Sequence, residues 1–475
     1  MRRILQIPTL VRIGLIAVVA LYLVLAIYQA VTIRIAGAAD SYGHLDYIWQ
    51  VFNGHLPDGY GYELDGRRGP SETDRHLTAA HPPLYYALLA PLLGPLLAAG
   101  NWELATAIAR GINIVFGLGV LVTLAWAGWR LGGRLRSTLV LVVPAIGVLI
   151  VPFMRIAGDN YNDVLAILFS TIALTVSCII LREGPSVRWG VILILLSVAG
   201  MATRSTYIAT LGLSMLALAA AYVMHRPDIS LGRRIGRIVG WWAATAVAVI
   251  GSIGWFYLRN FVASGSWFRS RPQQPVRGRE YHSVLDNLTN IDFYLIVPSR
   301  LLGIKQWNGL LPINIHISIL VSAVCLVGLI VWLTRGGRWA RIISTPSSRA
   351  IALLALAQVL ALYVMQLQHA TGWGNLNPRY LLPGLLVFAF LLALGATAWP
   401  QLRGQLAVGI VGILALAGMV DAIWFNERFG FEPSLKVLAA FGAIAVAALV
   451  VLSIVLFRIT APRDAITSRT ETTSV

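Results

Sequence analysis

Residues 13–33 read IGLIAVVALYLVLAIYQAVTI, an uncharged apolar run that follows Arg2, Arg3 and Arg12. A helix of this length extends about 32 Å, which is enough to cross a hydrocarbon core about 30 Å thick. A cleaved signal peptide is the alternative, because residues 36–39 are small, but its apolar region is usually only about 7 to 15 residues long. We expect a first membrane span with a cytoplasmic N-terminus.

Similar runs recur throughout the chain of 475 residues, which is 57% hydrophobic and 12% charged, with a mean hydropathy of +0.75. In soluble proteins about a quarter of the residues are charged. The sequence therefore predicts an all-α polytopic membrane protein of about 12 transmembrane helices, with residues 1–475 forming a single transmembrane domain. The predicted spans are residues 13–33, 104–128, 138–154, 161–181, 189–203, 206–224, 238–258, 316–334, 350–370, 380–398, 405–424 and 437–457.

One apolar stretch is not counted as a span. It starts at His81-Pro82-Pro83-Leu84-Tyr85-Tyr86 and ends near Gly100. If it crossed the membrane, every later arginine-rich loop would face outward, against the positive-inside rule. We therefore expect an interfacial helix in a first external loop, residues 34–100, and a second long external loop, residues 259–315.

The net charge of +17 follows from topology. All basic residues except Lys305 and Lys436 are arginine, and 20 arginines but only four acidic residues fall on the predicted cytoplasmic side. This asymmetry is typical of membrane orientation, so nucleic acid is excluded as a partner. Cys178 and Cys325 lie in different apolar runs, which excludes a disulfide framework.

Acidic residues are concentrated on the predicted outer side, although they contribute little to orientation. Asp40 and His44 would share one helix face just after the first span. Asp40 could act as a general base, and His44 could orient it or contact an anionic group. A helix cap is the alternative interpretation of Asp40.

Four more ionisable residues lie at outer ends of spans. Asp159 and Asp163 precede an apolar run, where ionisable groups are costly and usually functional, although helix capping is the alternative. Arg204 and Arg379 lie in outer turns, where the positive-inside rule disfavours them. They either reach lipid headgroups or offer a planar fork to a phosphate.

Together these segments resemble the GT-C superfamily of integral-membrane glycosyltransferases, which includes protein O-mannosyltransferases and aminoarabinose transferases. The resemblance covers roughly residues 10–270 and the strip around 380. It is carried by Asp40 with His44, by the segment 81–86, by Asp163 after Asn162, by Trp255-Phe256-Tyr257-Leu258-Arg259-Asn260, and by Arg379-Tyr380-Leu381-Leu382-Pro383.

The resemblance implies transfer of a sugar from a polyprenyl-phosphate donor to an acceptor hydroxyl of a glycan, lipid or protein, with inversion. It implies that Asp40, or else Asp163, is the catalytic base. The implied donor-phosphate ligands are Arg204, Arg259, Arg379 and His81, and the implied substrate-binding residues are His44, Asp159, Tyr85 and Tyr380.

A divalent metal is left open as a cofactor. Ser41 stands where some members of the superfamily have Glu, which argues against a metal, yet Asp40, His44, Asp159 and Asp163 could supply ligands. Two other functions compete with the transferase: a transporter or flippase for a lipid-linked saccharide, and a catalytically silent assembly subunit.

The expected location is a bacterial inner membrane, where the protein would be surrounded by membrane lipids. Both termini would be cytoplasmic and the active site extracytoplasmic.

This topology predicts the outcome of cysteine labelling in intact cells. Arg134→Cys should resist an impermeant thiol reagent and Arg277→Cys should react, because the two positions fall on opposite sides of the membrane. The native protein is the control, since its two cysteines lie within apolar runs. The reverse labelling pattern would show that the chain is inverted.

Overall fold

The computed structural model describes residues 8–33, 41–58, 63–64, 76–268, 280–297, 301–302, 312–335, 344–428 and 434–460. All regular elements in these ranges are helical. The helices are α1 Thr9–Thr32, α2 Ser41–Phe52, α3 Leu84–Ala98, α4 Trp102–Leu131, α5 Arg136–Leu149, α6 Val151–Ala157, α7 Asp163–Glu183, α8 Val187–Thr203, α9 Ile208–His225, α10 Leu231–Ser264, α11 Val284–Thr289, α12 Ile291–Ile296, α13 Pro312–Thr334, α14 Pro346–Ala370, α15 Leu385–Ala396, α16 Arg403–Arg428 and α17 Leu435–Thr460.

The predicted all-α polytopic membrane fold is confirmed. Within the described ranges, nine helices are long and apolar enough to cross a membrane, or ten if α5 and α6 form one broken span. Each predicted span coincides with a helix or with this pair. Helix α3 has 15 residues and extends only about 23 Å, which is shorter than the hydrocarbon core.

Two segments depart from simple spans. Helices α5 and α6 meet at an angle of 73° around Ile150, and Pro152 follows in the first turn of α6. Proline is tolerated there because the first helical N–H groups need no intrahelical partner. The second departure is α10, whose 34 residues continue through Arg259 to Gly265, so the predicted second loop begins later than residue 259. Gly265 ends the helix with a φ of 67°, a left-handed conformation that favours glycine.

The core is centred on α5, which is buried along almost its whole length. Helices α1, α4, α15 and α16 surround α5, and α17 packs along α1. Helices α7 to α10 form a second apolar cluster, and α2 with α3 forms a third against α4. Arg155 on α6 and the buried Asp421 on α16 pair at 2.9 Å, which fastens the broken span to the C-terminal helices.

Candidate functional site

The site is built around the turn between α6 and α7. Gly158 opens this turn against α1, where a Cβ atom would lie only 2.7 Å from the carbonyl oxygen of Ala26. The turn then presents Asp159 and Asn160, and α7 begins at Asp163. A carboxylate in the first turn of a helix interacts favourably with the helix dipole. Five residues therefore bring two carboxylates to one end of the helix bundle.

Asp159 is 1% exposed, and its carboxylate is held on several sides. The Ser41 hydroxyl lies 2.8 Å from both carboxylate oxygens, and the Asn160 backbone N–H donates to Oδ1 at 2.8 Å. Arg110 Nε lies 3.5 Å from Oδ1. Asp159 thus fixes the first residue of α2 and is itself compensated by a buried guanidinium.

Helix α4 supplies two residues that sequence reasoning missed. Arg110 donates from Nη1 to the carbonyl oxygens of Ala30 at 2.7 Å and Ile33 at 2.8 Å, at the end of α1. Asn113 donates from Nδ2 to the Asp159 carbonyl at 2.6 Å and to that of Tyr161 at 2.9 Å. An arginine inside an apolar run was the available signal, since such residues face the protein interior.

Asp163, Arg204, Arg379 and Tyr380 were predicted separately, and the structure brings them together. Arg204 donates from Nη1 to Asp163 Oδ2 at 2.7 Å and to Asn162 Oδ1 at 2.7 Å. Arg379, in the 3₁₀ turn Pro378–Gly384, approaches Asp163 Oδ1 to 3.8 Å through Nε. The Arg204 guanidinium also lies 5.7 Å from the centre of the Tyr380 ring. One carboxylate therefore holds two arginines side by side.

These two arginines differ in access. The side chain of Arg204 is 4% exposed, whereas that of Arg379 is 15% exposed and stacks over the Tyr161 ring at 5.0 Å. The cluster of Arg110, Arg204 and Arg379 has one positive charge more than Asp159 and Asp163 compensate. An anion that reaches Arg379 would neutralise this excess charge.

A group of aromatic and imidazole rings lies beside the arginines. His44 makes an edge contact with Tyr161 at 5.1 Å and stacks with His81 and Tyr86 at 5.7 Å. The Tyr86 hydroxyl lies 2.9 Å from His44 Nδ1 and 3.2 Å from His81 Nδ1. Because it has a single proton, this hydroxyl can donate to one imidazole and accept from the other. Tyr85 donates to Asn160 Oδ1 at 3.1 Å, which ties α3 to the central turn.

His81 was expected to add positive charge, and its surroundings oppose this. Desolvation, followed by the charge of Arg204 and smaller contributions from His44 and Arg379, holds the pKa of His81 well below its usual value. The imidazole is therefore neutral near pH 7. It can contact a phosphate as a hydrogen-bond partner but does not add a third cation to the arginine pair.

A second buried carboxylate anchors the first external loop. Asp46 is fully buried, and its Oδ2 accepts from His76 Nε2 and Gln50 Nε2 at 2.7 Å. Its Oδ1 accepts from the backbone N–H groups of Glu63 and Leu64, also at 2.7 Å. This single side chain connects α2 to two separate parts of the loop and so holds the surface beside His44.

Two predicted residues lie apart from this cluster. Arg259 donates to the Pro57 carbonyl at 2.5 Å and lies 3.6 Å from the exposed Asp58, so it connects α10 to the end of α2. Asp40 lies outside the described residues. In the part of the chain that the structure describes, no three His, Cys, Asp or Glu side chains are grouped as metal ligands.

No protein-family model and no curated protein matches this sequence. Solved structures do share the fold. The crystal structure of ArnT from Cupriavidus metallidurans bound to undecaprenyl phosphate is 16% identical, with a TM-score of 0.51 over 93% of this chain and 76% of ArnT. Apo ArnT gives 14% identity and a TM-score of 0.48 over the same shares. The oligosaccharyltransferase from Archaeoglobus fulgidus gives 12% identity and a TM-score of 0.35 over 94% of this chain and 56% of its own.

The protein is thus a multi-pass helical membrane protein whose helices follow the same course as those of a lipid-dependent transferase. Its fold is that of the GT-C superfamily of glycosyltransferases, which confirms the resemblance seen in the sequence.

The low pKa of His81 predicts how stability changes with pH. Below a pH of about 6.5 the unfolded chain binds a proton at this position and the folded protein does not, so stability should fall as the pH falls. His81→Gln should therefore lose less in Tm between pH 7.5 and 5.5 than the native protein. Thermal unfolding in detergent measures the difference.

His55→Gln is the matched control. Its hydrogen bond to Glu63 raises the pKa of His55, so the stability from this exposed pair is present at low pH and lost as the pH rises. This variant should not reduce the loss of Tm on acidification. Equal acid sensitivity of native protein and His81→Gln would contradict the assignment of a neutral His81.

Proposed function

We propose that this protein is a glycosyltransferase that moves a sugar from a polyprenyl-phosphate donor to an acceptor hydroxyl at the extracytoplasmic membrane face. The observation that carries the proposal is the pair Arg204 and Arg379, held side by side by Asp163 at one end of the membrane helices. ArnT, which shares the fold, has been crystallised with undecaprenyl phosphate, a ligand of the proposed donor class.

Sugar transfer from such a donor requires compensation of charge on the departing phosphate. As the bond between the anomeric carbon and the phosphate oxygen breaks, negative charge develops on that oxygen. Guanidinium groups that are already in place stabilise this charge without reorganisation. Arg379 is the more accessible arginine and would contact the phosphate, whereas the buried Arg204 keeps Asp163 and the Tyr380 ring in position.

Asp163 is better suited to hold the arginines than to accept a proton. Its Oδ2 accepts the short bond from Arg204, and its Oδ1 faces Arg379. A carboxylate with two cations beside it is a weak base, because protonation would leave both cations uncompensated. This argument leaves Asp40 as the proposed catalytic base and makes Asp163 a positioning residue.

Asp40 precedes Ser41 in the sequence, and the Ser41 hydroxyl is bound by Asp159. In the proposed reaction the Asp40 carboxylate takes the proton of the acceptor hydroxyl. The acceptor oxygen then bonds to the anomeric carbon from the face opposite the phosphate, and the phosphate leaves with the electrons of the broken bond. A single displacement of this kind inverts the anomeric centre.

The acceptor is proposed as a glycan, lipid or protein of a bacterial cell envelope. His44, Tyr85 and Asp159 are proposed to shape the acceptor side, since their contacts bind the first external loop to the turn before α7. A strain that lacks the gene tests the activity as a whole. Mass spectrometry should detect an accumulated polyprenyl-phosphate sugar and the loss of one envelope modification, whereas an unchanged profile of both would contradict the proposal.

The phosphate-binding role of Arg379 is tested by a substitution that conserves charge. Lysine cannot reproduce the planar fork, and a hydrogen bond to a charged group contributes about 1.5 to 3 kcal/mol. Arg379→Lys should therefore lower transfer from the polyprenyl-phosphate sugar found in the deletion strain by roughly 10- to 100-fold, at about tenfold for each 1.36 kcal/mol. Initial rates of purified protein in detergent give the comparison.

Arg130→Lys is the matched control, because Arg130 pairs with Glu183 at the opposite end of α4. It should keep its activity within about threefold, well inside the tenfold loss that a factor of 1.36 kcal/mol represents. Normal turnover by Arg379→Lys would mean that the donor phosphate is bound elsewhere.

The base assignment is tested by Asp40→Asn, which conserves shape but cannot accept a proton. Loss of a general base typically lowers the rate by about 100- to 10,000-fold. The same transfer assay should show this loss in protein whose thermal unfolding matches the native protein. Activity within about threefold of native, far from that range, would assign Asp40 to helix capping.

A further inference from the structure

A large groove opens at the end of the bundle opposite Asp159 and Asp163. Its volume is about 1080 Å³, slightly above the usual range of about 300 to 1,000 Å³ for small-molecule pockets. Helices α4, α5 and α7 form one wall, and α13, α14 and α15 form the other. Most of the lining is aliphatic or aromatic, as at Leu174, Val387 and Phe390.

The depth of the groove corresponds to about half a membrane. Along α14 it extends from Ser347 to Val359, which corresponds to about 18 Å of helix, and along α7 from Leu174 to Arg182, or about 12 Å. Half of a hydrocarbon core is about 15 Å. Leu356 and Leu391 in the lining are 55% and 37% exposed, so the groove is open to the surrounding lipid.

The mouth of the groove is cationic and polar. Arg134, Arg182 and Arg403 lie there with the hydroxyl groups of Ser347 and Ser348. Among the described residues that line the groove, none is acidic. The nearby Glu183 pairs with Arg130, at 2.6 Å, and neither of these residues belongs to the lining.

We propose that this groove binds an anionic phospholipid, with the phosphate among the three arginines and one acyl chain between α7 and α15. Orientation in the membrane accounts for arginines at this end, but it does not require an apolar groove one leaflet deep directly beneath them. Helix α7 separates the groove from Asp163 by about 30 Å, so this lipid site is distinct from the proposed donor site.

The position of the groove gives the lipid a structural effect. Helix α7 begins with Asp163, and α15 directly follows the turn that carries Arg379. An acyl chain between these helices fills space that the protein leaves open and holds the two helices at a fixed spacing. The lipid therefore stabilises the fold that carries both residues of the arginine clamp.

Native mass spectrometry of protein from nanodiscs tests the proposal directly. From discs of phosphatidylglycerol the native protein should retain one lipid, and from discs of phosphatidylcholine it should retain at least tenfold less. The first variant combines Arg134→Gln, Arg182→Gln and Arg403→Gln. Its matched control combines Arg188→Gln, Arg226→Gln and Arg349→Gln, which removes the same charge at the same end but outside the groove.

The groove variant should lose phosphatidylglycerol retention at least tenfold, while the control variant stays within about twofold of native. A second variant, Ala355→Phe, fills the groove without changing charge and should show the same loss. Added phosphatidylglycerol should raise the Tm of delipidated native protein by several degrees, because a ligand that binds only the folded state stabilises it, and should not raise that of Ala355→Phe.

Three results would overturn the proposal. Equal retention of phosphatidylcholine would remove the role of the arginines, and equal loss in the control variant would reduce the effect to overall charge. Retention of undecaprenyl phosphate in place of phosphatidylglycerol would make the groove a second prenyl-phosphate site. None of these measurements uses sugar transfer, so their failure is separate from failure of the proposed function.

Discussion

Two buried carboxylates four residues apart determine the arrangement of this site. An unpaired charge in a low-dielectric interior costs several kcal/mol, so Asp159 and Asp163 require compensation wherever the fold buries them. The partners come from distant parts of the chain: Arg110 from α4, Arg204 from the turn after α8, and Arg379 from the turn after α14. The convergence of these segments on the start of α7 is thus an electrostatic requirement as well as a result of helix packing.

The same compensation gives the site its affinity for anions. Three guanidinium groups face two carboxylates, and the most exposed of the three is Arg379. A structural role and a binding role are therefore divided between neighbouring arginines of one cluster, with Arg204 on the buried side. The proposed transferase chemistry uses the partly accessible side of an arrangement that the fold already needs.

Hydropathy was sufficient to predict the helices, because long apolar runs have few alternatives in a membrane. The break at Ile150 was not predicted, since the apolar pattern continues across it. Arg204 and Arg379 were found because the positive-inside rule makes outer arginines unusual. Arg110 was missed: it lies in the first turns of a predicted span, and its partners are the carbonyl groups of α1, which carry no signal in the side-chain sequence. The bond from His76 to Asp46 joins residues 30 positions apart across a loop without periodicity.

The distances along the chain between these partners have a consequence for biogenesis. At a synthesis rate of about 5 to 20 residues per second, Arg204 follows Asp163 by about 2 to 8 s, since the two are 41 residues apart. Arg379 follows more than 200 residues later, so about 10 s or more pass before the second cation is made. During that interval Arg204 is the counter-charge that allows α7 to remain inserted with its N-terminal carboxylate. The buried arginine of the clamp thus serves the nascent chain before it serves the finished enzyme.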